Sequence, residues 1–408
     1  MQKSASAVDC VIVGGGIGGA VLALSLGRKG HRIVILEREK QPLPTVRPEI
    51  LAQATIEVFD RLGVGNKIRA EAVLPLHGLQ LRRAGDGCLL EFSADEFREA
   101  GVQLYSTDPA LTRRILLEEA QAHVELRRGV EVQQLLHEGN RVIGVSGTDA
   151  GQPFELRARM VVGDDGTHSR IRKGLGILLS LKEFPLDFLV AAGPAVGWEK
   201  MNGPKAWMNA SGIRNDLFAG LFVPIPGARV AMVFGLTPKT YQRLQAQGNQ
   251  NFHELATRLA PEAKAVLQPH AFPKGFAHIQ RPFGHAPRYV SNGAALLGDA
   301  AHPVTPVGGQ GANMSVADAM ALAEVAHDAL SAKNCSAERL SHYEKRRRVA
   351  NDRSLRFSTR ATRVLGLLAL FPWAGAGLEL FIRRVDRFQK TKVRFMRSGS
   401  SAFRSPDS

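Results

Sequence analysis

Cysteine is scarce in this chain: three in 408 residues, at Cys10, Cys88 and Cys335. They are far apart, odd in number and never spaced C-x-x-C. That excludes a disulfide framework or a zinc cluster as the basis of the fold, and a reducing cytoplasm is the simplest home. Cys10, just before an apolar run, reads as a small buried residue. There is no H-x-x-x-H pair and no clustered His/Asp/Glu set to ligate a metal. Aromatics make up only 6%. No zinc-finger spacing, RNA-binding aromatic motif or basic run with interleaved aromatics occurs, so nucleic acid is not expected as the main partner. Internal repeats and low-complexity segments are absent too. The apolar stretch Val8 to Leu26 is broken by glycines, which argues against a signal peptide or a membrane span there. Acidic residues are outnumbered 38 to 53, leaving a net charge of +15. Such a charge suits an anionic nucleotide or an anionic membrane face, and a scattered basic surface equally well.

The chain is long enough for two lobes, and its 44% hydrophobic content is that of a globular protein. Its first forty residues are the most organised. Val11 to Val13 has the length and branching of a strand, and Gly14, Gly16 and Gly19 follow as G-x-G-x-x-G where that strand turns into a helix. Gly14 permits the tight turn, Gly16 lets a pyrophosphate approach the backbone, and Gly19 lets the helix pack close. The helix carries Val21, Leu22, Leu24 and Leu26, and Gly30 ends it. A second strand, Arg32 to Glu37, delivers a carboxylate suited to ribose hydroxyls. An acid there favours FAD or NAD over a 2′-phosphorylated nucleotide, without choosing between them.

Further along, Glu49 to Leu62 reads as a helix, and Leu74 to Phe92 as a β-hairpin around Gly85-Asp86-Gly87. Thr107-Asp108-Pro109-Ala110 caps a helix expected to run through His123, and Val130 to Val145 forms a second hairpin turning at Gly139-Asn140. Met160 to Gly163 is a short buried strand running into Asp164-Asp165-Gly166, with a helix from about Ser169. From Phe184 to Phe283 short strand-like runs broken by Pro and Gly indicate an antiparallel-sheet lobe. Ala294 to Gly298 is again a buried strand, followed by a glycine loop and a helix over Ala312 to Leu330. The remainder, to about Arg397, is helical and basic, with a polar tail from Ser398 to Ser408.

The stretch Gly298 to Asn313 carries the most chemistry. A strand brings Asp299 to its carboxyl end, where ligands sit in open α/β sheets. The loop Pro306 to Gly311 is nearly free of bulk, so a flat ring could lie against it. The helix that follows presents free N–H groups and a positive dipole end to that ring. Asp165-Gly166 with Ser169 and Arg172 places an acid, an N-cap hydroxyl and a cation at another helix start, although a plain capped turn accounts for it equally.

Taken together, these motifs resemble the class A flavoprotein monooxygenases, the group of para-hydroxybenzoate hydroxylase and the ubiquinone-pathway ring hydroxylases. Three sets carry the match, in order from residue 8 to about 330: Gly14-x-Gly16-x-x-Gly19 with Glu37; Asp165-Gly166-x-x-Ser169-x-x-Arg172; and Gly298-Asp299 through Gly311 and Asn313. The resemblance implies a mixed α/β fold: a Rossmann-like FAD-binding lobe with a parallel sheet, an antiparallel-sheet substrate lobe, and C-terminal helices. The corresponding segments are 1–73, 101–180 and 284–345 for FAD; 74–100 and 181–283 for substrate; and 346–408 for the C-terminal part. It implies bound FAD, transient NADPH or NADH, and dioxygen as co-substrate. The implied activity is hydroxylation of an electron-rich aromatic substrate through a flavin hydroperoxide. Candidate catalytic residues are Arg47, Pro306, Gly308 and Gln310. Candidate cofactor-binding residues are Gly14, Gly16, Gly19, Glu37, Arg38, Arg47, Arg113, Asp165, Asp299, Gly309, Gly311, Ala312 and Asn313. The chain departs from the family pattern at Thr305-Pro306, where Pro-Pro is common, and at Asp108, where a basic residue is common. His302 reads as a loop-positioning residue more than an acid or base, and His168 as a turn residue. His77, on the first hairpin, could reach a substrate but is a weak candidate. Two other readings stand beside this one. One is an FAD-dependent reductase resembling the geranylgeranyl reductases; the other is a turnover-deficient FAD-binding interaction protein.

The apolar segment Val364 to Ile382 is interrupted by Pro372 and Glu379 and followed by six cations up to Arg394. It reads first as a helical hairpin packed on the FAD lobe and second as a surface-lying membrane anchor through 364–397. An anchor would go with a lipophilic substrate.

Overall fold

The computed structural model describes residues 7–41, 48–83, 88–198, 203, 205–208, 219–261, 263–267, 270 and 274–370. At its centre five strands run parallel. Val8–Val13 lies between Ile33–Glu37 and the inner half of Gln152–Gly163; Glu125–Arg128 flanks the first and Ala294–Leu296 the second. Except for Glu125–Arg128, these strands meet along continuously buried apolar residues, which is why they read as unbroken runs. The fingerprint helix Ile17–Arg28 and the long helix Gly311–Ser331 pack on this sheet, and their alanines and glycines bring backbones close.

The strand expected at Met160 to Gly163 is the end of a twelve-residue strand, Gln152–Gly163. Its outer half pairs antiparallel with Arg141–Asp149, which pairs in turn with Val130–Glu138; its inner half pairs parallel with Val8–Val13. Exposure alternates from Pro153 to Arg159 and vanishes from Met160 onward. One segment therefore shows two hydrophobic patterns.

A seven-stranded sheet forms the second lobe, ordered Ala277–Ile279, Asp187–Pro194, Arg229–Leu236, Ala219–Ile225, Lys205–Met208, Leu79–Arg83 and Cys88–Phe92. All its pairings are antiparallel except that of Lys205–Met208 with Leu79–Arg83. Helices Pro238–Gln247, Asn249–Leu259 and Ala263–Leu267 close its back over a separate core. There Phe222, Phe234 and Phe252 meet edge to face at ring separations of 5.7 and 5.4 Å, a favourable quadrupole geometry.

Several expectations change. Glu49 to Leu62 is not one helix: Glu49–Ala52 is a strand and the helix is Gln53–Arg61. Glu49–Ala52 pairs with Leu104–Thr107, which pairs with Val73–Leu76, giving a three-stranded sheet between the lobes. That long-range pairing overrides the local helical spacing. Leu74 to Phe92 is likewise divided, and only Leu79–Arg83 with Cys88–Phe92 makes the expected hairpin. The helix capped by Asp108 is Pro109–Ala120, stopping short of His123. The C-terminal helix is Ala337–Leu370, and the rest of the basic segment and the tail lie outside the described residues. Among the described residues, no helix is long and apolar enough to cross a membrane.

Candidate active site

A cavity of about 920 Å³ lies where the parallel sheet, the three-stranded sheet and the open face of the antiparallel sheet meet. Two helices point their N-termini at it. The twelve-residue Ile17–Arg28 begins at Gly16, and the twenty-one-residue Gly311–Ser331 begins at Gln310; neither has a side-chain cap. Gly16, Ile17, Gly18, Gly311 and Ala312 line the cavity. Uncapped first-turn N–H groups need acceptors, and the dipole of each helix favours an anion there.

The fingerprint glycines are required by contact. At Gly14, φ is +106°, and a Cβ there would collide with the Asp164 carbonyl; a Cβ on Gly16 would sit 2.6 Å from Asp164 Oδ2. Glu37, 8% exposed at the end of its strand, accepts from Gly15 N through Oε2 and from Glu39 N through Oε1, both at 2.9 Å. The carboxylate expected on a ribose thus also fixes the phosphate loop. Arg38 is exposed and does not line the cavity. Arg113 does, with Nη2 2.9 Å from Glu39 Oε2. Arg47 lies outside the described residues.

Of the two neighbouring acids, Asp165 caps the helix Arg170–Gly174. Its Oδ2 accepts from Arg170 N at 2.7 Å and Ile171 N at 3.1 Å, and it is not on the cavity wall. Asp164, one residue earlier, is on the wall and accepts from Gly19 N at 2.8 Å. Arg172, 3% exposed, donates to Ala300 O and to Thr167 O, each at 2.8 Å. It thereby locks the Asp-Gly turn against the turn that carries Asp299. Asp299 faces the cavity with Oδ2 3.6 Å from Arg281 Nη1.

The loop Pro306 to Gly309 forms one side of the cavity, with Gly308 and Gly309 at φ +92° and +63°. Gln310 is 2% exposed; its Nε2 donates to Gly308 O at 2.7 Å, while its buried Oε1 has no partner among the described residues. Asn313 has no side-chain hydrogen bond left to give. Its Oδ1 accepts from Ala52 N and Thr55 Oγ1, and its Nδ2 donates to Ile50 O and Gly309 O. His302 is buried against Asp318, whose other oxygen receives Arg347 Nε at 2.7 Å. His77 is exposed in the link between two strands, and His168 is in a turn. Among the described residues no cluster of His, Cys, Asp and Glu could hold a metal.

Asp164, Arg281 and the Asp318–Arg347 pair escaped sequence reasoning. A doubled acid was the only signal for the first; the others depend on tertiary neighbours. The arrangement suits a dinucleotide with a flat ring: a glycine cradle that a Cβ would fill, two open helix starts, an orphaned Gln310 oxygen and a bulk-free loop. Beyond the loop the cavity is walled by Leu186, Phe188, Leu221, Val233 and Ile279 of the second lobe.

The family model for an FAD binding domain matches residues 7–358. The chain is 30% identical over 366 residues to 6-methylpretetramide 4-monooxygenase of Streptomyces rimosus, covering 88% of this chain and 84% of that protein. It is 26% identical over 342 residues to 3-demethoxyubiquinol 3-hydroxylase of Escherichia coli (strain K12), covering 79% and 80%. The crystal structure of P. aeruginosa PqsL in complex with 2-aminobenzoylacetate superposes with a TM-score of 0.77 at 25% identity, covering 88% of this chain and 97% of that one.

Proposed function

The chain belongs to the FAD-binding-domain family of FAD-dependent monooxygenases, and from that premise we propose that it hydroxylates a neutral, largely apolar aromatic substrate with electrons from NADPH or NADH. The observation that carries the substrate class is the charge inventory of the cavity. Among the described residues lining it, the two cations are Arg113, paired with Glu39, and Arg281, beside Asp299. Neither is left to neutralise a substrate carboxylate, and an unpaired buried charge is costly. The apolar wall from the second lobe instead rewards a flat hydrocarbon surface.

FAD, when bound, supplies the redox chemistry, accepting hydride and activating dioxygen. The rest falls to the chain. Backbone N–H groups at Ile17 and Gly18 would meet the pyrophosphate; Glu37 and Asp299 would accept from hydroxyls; N–H groups at Gly311 and Ala312 would face negative charge on the ring. Pro306, Gly308 and Gln310 would border the ring, with Arg113 on the cavity wall and Arg47 as the candidate cations for its phosphates and edge. Segments 1–73, 101–180 and 284–345 would then form the cofactor domain, and 74–100 and 181–283 the substrate domain. The apolar sheet face excludes water from the reacting centre. Peripheral membrane contact through 364–397 remains part of the proposal, since a lipophilic substrate would be drawn from a membrane.

The test is substrate-dependent NAD(P)H oxidation by the holoprotein against a panel of neutral polycyclic phenols and of benzoates, under labelled dioxygen. Label in the product of a neutral phenol is expected. Turnover that continues anaerobically would point to a reductase, and preference for benzoates would overturn the substrate class.

A further inference from the structure

The Asp164 side chain stands in an unusual place for an acid. It follows the long strand Gln152–Gly163, and its backbone N–H donates to Val13 O at 2.8 Å, fixing it beside the fingerprint loop. Its carboxyl is wedged between three glycines. Oδ2 lies 2.6 Å from a Cβ built on Gly16 and 2.8 Å from one built on Gly19, and Oδ1 lies 3.3 Å from one built on Gly298. Oδ2 accepts the Gly19 N–H, a first-turn donor of the fingerprint helix. No hydrogen bond engages Oδ1 among the described residues, and the side chain forms cavity wall next to Gly16, Ile17 and Gly18. A carboxyl therefore occupies the edge of the anion site built for a pyrophosphate.

Two anions cannot share that edge without cost. The charged groups facing Asp164 make ionisation worse: Glu37 from the second strand, Asp165 from the following turn and Asp299 from the turn after Ala294–Leu296. From the helix Gly311–Ser331, Ser315 packs against the same Gly298 that Oδ1 approaches. Among the described residues, the cations of the cavity wall and of this turn are committed, Arg281 beside Asp299, Arg113 to Glu39 and Arg172 to backbone carbonyls. Burial first, then Asp299, Asp165 and Glu37, push the Asp164 carboxyl well above the usual carboxylate range, against the pull of the Gly19 N–H.

We propose that Asp164 is a cofactor-binding residue that meets the FAD pyrophosphate as a protonated acid, Oδ2 still accepting from Gly19 and Oδ1–H donating to a phosphate oxygen. The proton comes from solvent, and no bond other than O–H forms or breaks. The inference rests on the FAD reading of the site. Its consequence is thermodynamic linkage: FAD affinity falls as pH rises between the pKa of Asp164 in the empty cradle and its higher pKa beside phosphate, with a slope of up to about tenfold per pH unit.

The experiment is dilution of the holoprotein from about pH 5 to about pH 9, reading the fluorescence of released FAD at equilibrium. The dissociation constant of the wild-type chain is expected to rise with pH. Asp164→Asn, which keeps an acceptor for Gly19 and a donor for phosphate without charge, is expected to hold it flat and to bind about tenfold tighter or more at the alkaline end. A wild-type affinity that ignores pH, or an Asp164→Asn protein that keeps the wild-type slope, overturns the inference. Should the variant fail to fold, calorimetry of FAD binding to the wild type in two buffers of different ionisation enthalpy decides. Uptake approaching one proton per FAD supports the inference and none overturns it. A chain that binds no FAD at any pH overturns the cofactor assignment itself, an outcome distinct from pH-independent binding.

Discussion

The Thr55 hydroxyl donates to Asn313 Oδ1 across 2.6 Å, joining the helix Gln53–Arg61 to the long helix that follows the glycine loop. Asn313 completes the joint with Ala52 N, Ile50 O and Gly309 O, so one buried amide holds strand, helix and loop together. Asn313→Ala leaves all of these groups to find water or stay unpaired. Each unsatisfied buried group costs about 1–3 kcal/mol. A destabilisation of about 2–4 kcal/mol is expected in urea unfolding, with weaker FAD retention because Gly309 is released. Thr55→Val removes a single donor and should cost only about 1 kcal/mol. Equal losses from the two substitutions would contradict the hub role.

Two glycines with positive φ separate strain from collision. Gly166, at φ +79°, has no atom within 4 Å of an added Cβ, whereas Gly14, at φ +106°, has the Asp164 backbone in the way. Gly166→Ala should pay only the left-handed penalty of about 1–2 kcal/mol and keep its flavin. Gly14→Ala must also push apart the Val13–Gly163 pairing, and should yield protein without bound flavin or no folded protein. Expression with absorbance at the flavin bands distinguishes the two; a yellow Gly14→Ala protein would refute the steric argument.

The substrate half of the cavity offers a cleaner substitution. Leu221 sits on the antiparallel sheet, half-buried on the cavity wall. Its truncation to alanine removes apolar contact of about 1–2 kcal/mol from an aromatic substrate, so substrate affinity should fall about tenfold. FAD retention should be unchanged, since no phosphate or ring contact is involved. Substrate titrations read by flavin fluorescence measure both, and a parallel loss of FAD would place Leu221 in the wrong half.

What was readable in the chain was local. The fingerprint, the Asp-Gly turn and the glycine loop each span a few residues whose spacing alone implies backbone geometry, and four of the five parallel strands declare themselves as apolar runs; Glu125–Arg128, polar and partly exposed, does not. Glu49–Ala52 was hidden because its partner, Leu104–Thr107, lies more than fifty residues away and nothing in its own spacing distinguishes a strand. Asp164 and Asp165 were indistinguishable because neighbours in extended backbone face opposite ways, and only the packed strand end decides which one meets the cavity. Asn313 was legible as part of the loop motif, but not as a hub, since its partners Ile50, Ala52 and Thr55 sit at the far end of the chain. His302 was read as a loop-positioning residue; it is buried against Asp318, and that acid and the Arg347 beyond it could not be seen in the sequence.

That acid makes one contribution to the stability of the fold pH-dependent. Burial pushes the Asp318 carboxyl up, but His302 and Arg347 outweigh it and bring it down to about 2. Its folded value thus lies below the unfolded one of 3.8. The stability it contributes is fully present above that value and is lost as pH falls through about 2. The contribution is on the order of 2 kcal/mol. Asp318→Asn keeps the shape and removes the charge, leaving the Arg347 guanidinium, 4% exposed, without its counter-ion. Breaking a buried pair in this way costs about 3–5 kcal/mol. The urea midpoint near neutral pH should drop accordingly, and its decline below about pH 4 should flatten. Adding Arg347→Met to Asp318→Asn should recover part of the loss, because the penalty lies in the orphaned cation and not in missing attraction. A single variant as stable as the parent, or an acid decline unchanged by it, would show that the pair does not anchor the helix Ala337–Leu370 to the site.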